Sequence, residues 1–155
     1  MLDKGKKLSE KKWLDDEEKL VRLAVMLARE VDRIVFDLGF KRDILIHLWS
    51  KERVRAPLLR VLDAKFYDLP GELLVLFPPD LYQALDDFYR SLDTFIFYAS
   101  YTEDMPQNLS AKFDAFLEEL KAMAEPLIER LKAVDPAVAR DLMAFEPPMP
   151  DLTEI

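Results

Sequence analysis

The chain contains a single histidine, His47, which lies in the segment "ILIHLWSK" and is the side chain best suited to acid–base chemistry near neutral pH. One histidine cannot supply the two Glu-x-x-His motifs of a di-iron helical bundle or the paired histidines of a His-Glu-x-x-His zinc site. We expect His47 to be a partly buried structural residue beside Trp49, with a backbone or carboxylate partner. A role as a general base or a pH sensor is the alternative.

The acidic residues occur mostly in adjacent pairs and runs, such as Asp86 with Asp87 and Glu118 with Glu119. Neighbouring residues of a helix point about 100° apart, so such pairs do not converge on one proton or metal ion. We interpret them as solvated helix faces. An enzyme built on this chain would be of an unfamiliar type, with carboxylates from different helices acting together with His47. We predict no catalytic residue, no metal site and no cofactor.

Two residue types are scarce enough to exclude further chemistry. The sequence has no cysteine, which excludes disulfides, thiolate metal sites, iron–sulfur clusters and cysteine nucleophiles. Its three glycines are scattered, so it has neither of the common phosphate-binding glycine-rich loops, and it lacks a Gly-x-Ser-x-Gly elbow. Most nucleotide-dependent and hydrolytic enzyme classes are therefore disfavoured.

One segment is basic although the chain as a whole is acidic. Residues 41–60 contain six basic and two acidic residues, a net charge of +4, whereas the whole chain carries −8. The candidates for a basic patch are Lys51, Arg53, Arg55 and Arg60, which could bind a phosphate-bearing or acidic ligand. The competing interpretation, which we favour, is that the acidic helices of the same protein or of a second copy neutralise this segment.

Length and composition describe an ordinary globular domain. A chain of 155 residues, half of them apolar, can bury one hydrophobic core. The net charge argues against a general affinity for nucleic acid. The sequence shows no secretory signal and no run of eighteen apolar residues, so we expect a cytoplasmic protein without a transmembrane segment. Few amides and many Leu, Glu, Arg and Pro residues give it a thermophile-like composition.

Apolar residues recur at three- and four-residue steps over most of the chain, which predicts helices. One stripe extends from Leu20 to Leu38 and is widened by further apolar residues, including Phe36. A second begins at Leu81 and a third at Phe113. The sequence lacks the regularly spaced turn residues that separate the strands of an all-β fold. The fold class that we predict is therefore all-α.

Several residues mark where these helices should begin, end or bend. Gly39 could end the first helix at a left-handed cap or could only kink it, since Arg42 would lie on the apolar face of a continuous helix. Asp80 and Gln83 form a predicted capping box for the second long helix. Asn108 or Ser110 is predicted to cap the third.

The stretch "DFYRSLDTFIFYASY" raises a different question, because its polar back face ends at Asp93. Phe95 and Ile96 continue the core stripe of this helix, whereas Phe97, Tyr98 and Tyr101 occupy the opposite side. Burial in the core is the first explanation for these three rings, a self-association surface is the second, and a ligand-stacking platform is the third.

Taken together, the patterns predict a single-domain bundle of four to five helices with a short helical or looped insertion around residues 57–79. Residues 1–12 would form a basic, flexible tail, 13–145 the bundle with a last short helix at 136–145, and 146–155 an extended proline-rich tail. We expect a non-enzymatic interaction or regulatory protein that binds itself as a homodimer or binds another protein. The candidate interface residues are Phe97, Tyr98, Tyr101, Trp13 and Trp49.

Overall fold

The computed structural model describes residues 2–102 and 106–134, with side chains from residue 17 onward. These residues form six α-helices and one 3₁₀ turn, and no strand occurs among them. The α-helices are α1 (Leu2–Phe40), α2 (Arg42–Ser50), α3 (Ala56–Leu62), α4 (Gly71–Leu74), α5 (Pro79–Tyr101) and α6 (Pro106–Lys132), and the 3₁₀ turn is Lys65–Asp68. The prediction of an all-α helical bundle is confirmed.

The core lies between the three long helices, with α6 packed against both α1 and α5. Each helix contributes the apolar stripe that its three- and four-residue spacing predicts. The central side chains are fully buried: Leu27, Val31, Ile34 and Leu38 of α1, Leu85, Phe88, Leu92 and Phe95 of α5, and Leu109, Phe113 and Leu120 of α6. Truncation of a buried phenylalanine such as Phe95 to alanine would cost about 3–5 kcal/mol.

Helices α5 and α6 are antiparallel. Arg130, near the end of α6, donates a 2.5 Å hydrogen bond to Asp80 at the start of α5. Ser91 in the middle of α5 donates a 3.1 Å hydrogen bond to Glu119 of α6. The rings of Phe95 and Phe116 stack across this interface with centroids 4.6 Å apart. These contacts fix which face of α5 is left for solvent.

The first long helix is interrupted at Lys41 and not at Gly39. No glycine among the described residues has a positive φ, so Gly39 is not a left-handed cap. The amide of Lys41 still donates to the carbonyl of Asp37, and the carbonyl of Lys41 accepts from the amide of Leu45, both at 2.9 Å. The junction of α1 and α2 is therefore a kink that retains helical hydrogen bonds.

Arg42, expected to be misplaced on an apolar face, has a polar partner there. Its Nε and Nη2 donate to the two carboxylate oxygens of Asp114 in α6 at 2.6 and 2.8 Å. A further hydrogen bond of 3.2 Å from Nη2 reaches Ser110. This bidentate pair fastens the kink to α6, because two parallel N–H to oxygen bonds fix the orientation as well as the distance.

Two predictions of helix starts are wrong. α5 begins at Pro79 with Pro78 as its N-cap and no side-chain cap, so Asp80 is already helical and pairs with Arg130 instead. Proline suits this first position because its φ is preset and it has no N–H to satisfy. α6 begins at Pro106, which places Asn108 and Ser110 inside the helix.

Two side chains of α1 hold the chain between α2 and α5. Arg33 donates to the carbonyls of Val61 and Asp63 at 3.3 and 2.9 Å, at the end of α3. Glu30, only 8% exposed, accepts hydrogen bonds from the amides of Lys65 and Phe66 at 2.8 and 3.3 Å. The 3₁₀ turn is therefore anchored by a carboxylate at its N-terminal end.

The division of the chain into a tail at 1–12, a bundle at 13–145 and a tail at 146–155 stays a prediction. α1 begins at Leu2 and so includes residues that this division assigns to the first tail. The predicted last helix at 136–145 and the second tail lie outside the described residues. Over the part of the chain described, no helix is both long and apolar enough to cross a membrane.

Candidate interaction surface on α5

The solvent face of α5 carries a line of six exposed residues, which we call the α5 strip. Its members are Gln83, Asp87, Arg90, Thr94, Phe97 and Tyr101. The buried stripe of the same helix, from Leu81 to Ala99, faces the bundle. The strip therefore lies on the side of α5 that the bundle leaves open.

The first half of the α5 strip is polar, and its side chains have partners within α5. Gln83 donates a 2.9 Å hydrogen bond to Asp87 one turn later. Arg90 forms a 2.9 Å ion pair with Asp86, and Thr94 donates to the carbonyl of Arg90 at 2.9 Å. Such pairs on a helix surface add only a few tenths of a kcal/mol each, about 0.2–0.5 kcal/mol. They leave this half well solvated.

The second half is aromatic. Phe97 is 66% exposed and Tyr101 is 74% exposed, and their ring centroids lie 5.0 Å apart. A four-residue step places the two rings one above the other on one side of the helix. The two rings form a small apolar surface at the C-terminal end of α5.

Two of the other interface candidates belong to the interior of the bundle. Trp49 is only 1% exposed, and the ring of the half-buried Tyr98 meets it edge-on at 5.6 Å. Tyr98 also lies 5.7 Å from the ring of Phe116 in α6. The indole Nε1 of Trp49 is buried and has no hydrogen-bond partner within the described part of the chain. The candidate surface thus narrows to Phe97 and Tyr101, while the side chain of Trp13 lies outside the described ones.

The aromatic end of α5 is held by one of the predicted basic-patch residues. Arg55 donates from Nη1 to the carbonyl of Ser100 at 2.5 Å and from Nη2 to the carbonyl of Thr102 at 2.7 Å. The last carbonyls of a helix lack intrahelical partners and carry partial negative charge, so a guanidinium is well suited to them. Arg55 is therefore a structural residue that positions Tyr101.

The other basic candidates do not form one patch. Lys51 and Arg53 are exposed beyond the end of α2, and Arg53 has a left-handed φ of 59°. Arg60 lines a separate groove of about 360 Å³ between α1, α2 and α3, together with Arg33, Lys41 and a single acid, Asp37. The structure brings Arg60 together with bases of α1 and the kink, and not with Lys51.

His47 lies on the surface, so the prediction that it is partly buried is wrong, although a carboxylate does lie near it. Its side chain is 57% exposed, with Nε2 3.7 Å from a carboxylate oxygen of Glu52. It lines a groove of about 490 Å³ with Arg42, Lys51 and Ser110. Pairing with Asp114 raises the pKa of Arg42 and lowers the pKa of the Asp114 carboxyl, so both are charged at neutral pH. No group of three metal-ligating side chains occurs within the described ranges.

Sequence reasoning missed two features. Glu30 occupies a core position of the α1 stripe, four residues before Ile34, and a carboxylate at such a position indicates a buried acceptor. Phe36 and Phe40 form a second exposed aromatic pair, stacked with centroids 5.6 Å apart. The sequence pattern places Phe36 in the apolar stripe, but two residues are about 200° apart around the helix axis, so Phe36 lies almost opposite Ile34. This angular position indicates that Phe36 is exposed.

Comparisons of the chain with protein-family models, with curated proteins and with solved structures gave no match in any of the three.

Proposed function

We propose that this protein is a non-enzymatic helical interaction protein that self-associates through the α5 strip. The observation that carries the proposal is the exposure of Phe97 and Tyr101, at 66% and 74%, at the end of a helix that is otherwise amphipathic. A helix of a monomer normally keeps its solvent face polar. Here the polar face ends at Asp93 and aromatic rings replace it.

The energetics favour a macromolecular partner for these rings. An aromatic side chain can bury about 150–250 Å², and burial of apolar surface is worth roughly 25 cal/mol per Å². Because the rings of Phe97 and Tyr101 are exposed to water, the monomer does not gain this stabilisation. Burial of the two rings against a partner helix would provide it. Tyr101 also keeps a hydroxyl for water at the edge of such a contact, which is why tyrosine is common in interfaces.

A nucleic-acid platform is a poorer explanation for the same rings. Stacking platforms for bases combine aromatic residues with positive charge along the backbone path. The exposed residues on this face of α5 include Asp87 and Asp93 against one base, Arg90, which itself pairs with Asp86. The local charge is therefore of the wrong sign.

The test is the mass of the protein in solution as a function of concentration, measured by light scattering or sedimentation. We expect wild type to dimerise at high concentration and Phe97→Asp with Tyr101→Asp to stay monomeric. The matched control is Phe36→Asp with Phe40→Asp, which changes an equally spaced exposed pair on α1. A wild type that is monomeric at every concentration, or a dimer lost only in the control variant, would overturn the proposal.

A second candidate function rests on the groove lined by Arg33, Lys41 and Arg60. Lys41 and Arg60 lie above an apolar floor that includes Leu48, whereas Arg33 already contacts Asp37 and the carbonyls of Val61 and Asp63. Such a groove is suited to a phosphate-bearing or acidic ligand. Salt-sensitive retention on heparin is expected for wild type and should be lost in Lys41→Glu with Arg60→Glu. It should persist in Lys51→Glu with Arg53→Glu, and absence of retention by wild type at low salt would remove this candidate.

A further inference from the structure

The spacing of the α5 strip defines the kind of element that can cover it. Its six residues follow one another at steps of four, three, four, three and four, from Gln83 to Tyr101. These steps average 3.6 residues, close to the 3.5-residue repeat of the seam along which two helices pack. The partner element is accordingly a helix that lies along α5.

The charges of the strip decide how a second copy of α5 would lie on the first. A parallel pair would bring Asp87 opposite Asp87 and Arg90 opposite Arg90. Like charges directly opposite each other disfavour a contact. An antiparallel pair avoids both repulsions, because the polar first half of one strip then overlaps the aromatic second half of the other.

The register follows from the rings. Five antiparallel registers keep the strips aligned, and two of them pair only polar residues and leave both rings uncovered. A third places Asp87 over the face of Phe97, where the negative face of the ring repels a carboxylate. A fourth places Thr94 opposite Phe97 and the guanidinium of Arg90 over Tyr101, where the same property of the ring attracts a cation. The fifth pairs Phe97 with Tyr101 but brings only two pairs of strip residues together, against four in the register with Arg90 over Tyr101. Arg90 is 79% exposed and its 2.9 Å contact with Asp86 is made through Nε, so most of its guanidinium lies at the surface of the strip.

We infer that two copies of this protein pair through antiparallel α5 helices, with Thr94 of each opposite Phe97 of the other and Arg90 of each over the ring of Tyr101 of the other. This inference rests on the proposed self-association and names its geometry. Only four layers of facing residues form this contact, namely Arg90 with Tyr101 and Thr94 with Phe97, each occurring twice. The buried area is therefore smaller than in stable complexes, and the dimer is weak and reversible.

The chain contains no cysteine, so a spin label on a single introduced cysteine reports one distance between the copies. Gln83→Cys is suitable because Gln83 lies outside the four layers. It precedes Thr94 by 11 residues and Phe97 by 14, so the two labels are offset by 25 residues, or about 38 Å along the helices.

Electron–electron double resonance on this variant, at a concentration where light scattering shows the dimer, should give a distance of about 40 Å. The register with Asp87 over Phe97 would give about 29 Å, since Gln83 then lies 7 and 11 residues from the facing pair, Arg90 and Thr94. The register that pairs Phe97 with Tyr101 would give about 49 Å, and the two polar registers about 20 Å or less. A parallel pair would give about 10 Å, the spacing between packed helices. Any of these other distances overturns this geometry but leaves the proposed self-association intact, whereas a protein that is monomeric at every concentration overturns both.

A substitution gives an independent test. Arg90→Glu should weaken the dimer about tenfold, because each dimer contains the contact with Tyr101 twice and the new carboxylate faces the ring. The matched control is Arg22→Glu on α1, where Arg22 is 78% exposed and pairs with Glu18 at the same four-residue spacing. Equal weakening in both variants, or none in Arg90→Glu, contradicts the inferred pairing.

Discussion

The phenol of Tyr89 in α5 donates a 2.8 Å hydrogen bond to the carboxylate of Glu30 in α1 inside the core of the bundle. The same carboxylate accepts from the amides of Lys65 and Phe66, so one buried acid joins α1, α5 and the 3₁₀ turn. The ring of Phe66 stacks on that of Tyr89 with centroids 3.9 Å apart. Because a buried polar group must find partners inside the protein, this cluster specifies how the three segments meet.

Tyr89→Phe should lower the free energy of unfolding by about 1–2 kcal/mol, because the carboxylate of Glu30 loses a donor that water cannot replace at a buried site. Urea denaturation followed by circular dichroism at neutral pH measures the change. Tyr82→Phe on the solvent side of the same helix is the control, since Tyr82 is 40% exposed and should change stability little. Equal losses in the two variants would contradict a specific role for the buried bond.

The same cluster should make the protein sensitive to alkaline pH. Burial, and secondarily the charge of Glu30, raises the pKa of Tyr89. Partial burial also raises the pKa of Tyr67, whose hydroxyl donates a 3.1 Å hydrogen bond to the carbonyl of Tyr89. Each raised pKa contributes stability that is fully present below the unfolded value of about 10 and is lost as the pH rises from there toward the folded value. Urea midpoints measured from neutral pH upward should therefore stay level and then fall above about pH 10.

Tyr89→Phe removes one of these two titrating phenols, so its stability should fall less steeply than that of wild type above pH 10. Tyr82→Phe again serves as the control and should retain the slope of wild type. If the three proteins lost stability in parallel, the alkaline transition would have another origin.

The pair between Arg42 and Asp114 gives a prediction at acid pH. Asp114→Asn should cost about 1 kcal/mol at neutral pH, at the upper end for a partly exposed pair, because the bond is bidentate. Hydrogen bonding to Arg42 lowers the pKa of Asp114, so the contribution is present above the unfolded value of 3.8 and is lost as the pH falls through the lower folded value. Urea denaturation of both proteins from neutral to acid pH should show the difference shrink.

Asp43→Asn is the control for this pair. Asp43 also contacts Arg42, at 2.8 Å, but its side chain is 95% exposed against 47% for Asp114. An ion pair of that exposure contributes little. A loss in Asp43→Asn as large as that in Asp114→Asn would show that general charge, and not the bidentate bond, is responsible.

The sequence was sufficient for the features that depend on one helix at a time. Three- and four-residue spacing identified the buried stripes that contain Leu27, Phe88 and Phe113, because helical periodicity is a local property of the chain. The same reasoning located the position, after Asp93, where the solvent face of α5 becomes aromatic. Phe97 and Tyr101 are exposed there, whereas Tyr98 is partly covered by Trp49 and Phe116.

The features that could not be predicted depend on contacts between residues far apart in the chain. Arg42 looked misplaced because its partner, Asp114, lies 72 positions away. Arg55 looked available for a ligand because nothing in the local sequence shows that α5 ends beside it. In each case the sequence does not show which distant residue packs against the arginine. A charged residue on an apolar face or near a helix end is the only local sign that such a partner exists.

The contacts of Arg55 connect the stability of the bundle with the position of the α5 strip. Arg55→Met keeps the aliphatic stem but removes the donors to the carbonyls of Ser100 and Thr102. We expect a loss of about 1.5–3 kcal/mol, typical of hydrogen bonds to a charged group, and fraying of the last turn of α5, which carries Tyr101. Urea denaturation measures the first effect, and amide hydrogen exchange of residues 98–102 measures the second.

Arg53→Met is the matched control, because Arg53 is an exposed arginine only two positions away in the same connection. It should leave both the free energy of unfolding and the exchange of the last turn of α5 close to wild type. Arg55→Met should in addition weaken self-association, although Arg55 is not a member of the α5 strip, since a frayed last turn no longer holds Tyr101 in line with Phe97. If Arg55→Met destabilises the protein and leaves the dimer unchanged, the association does not depend on an ordered end of α5.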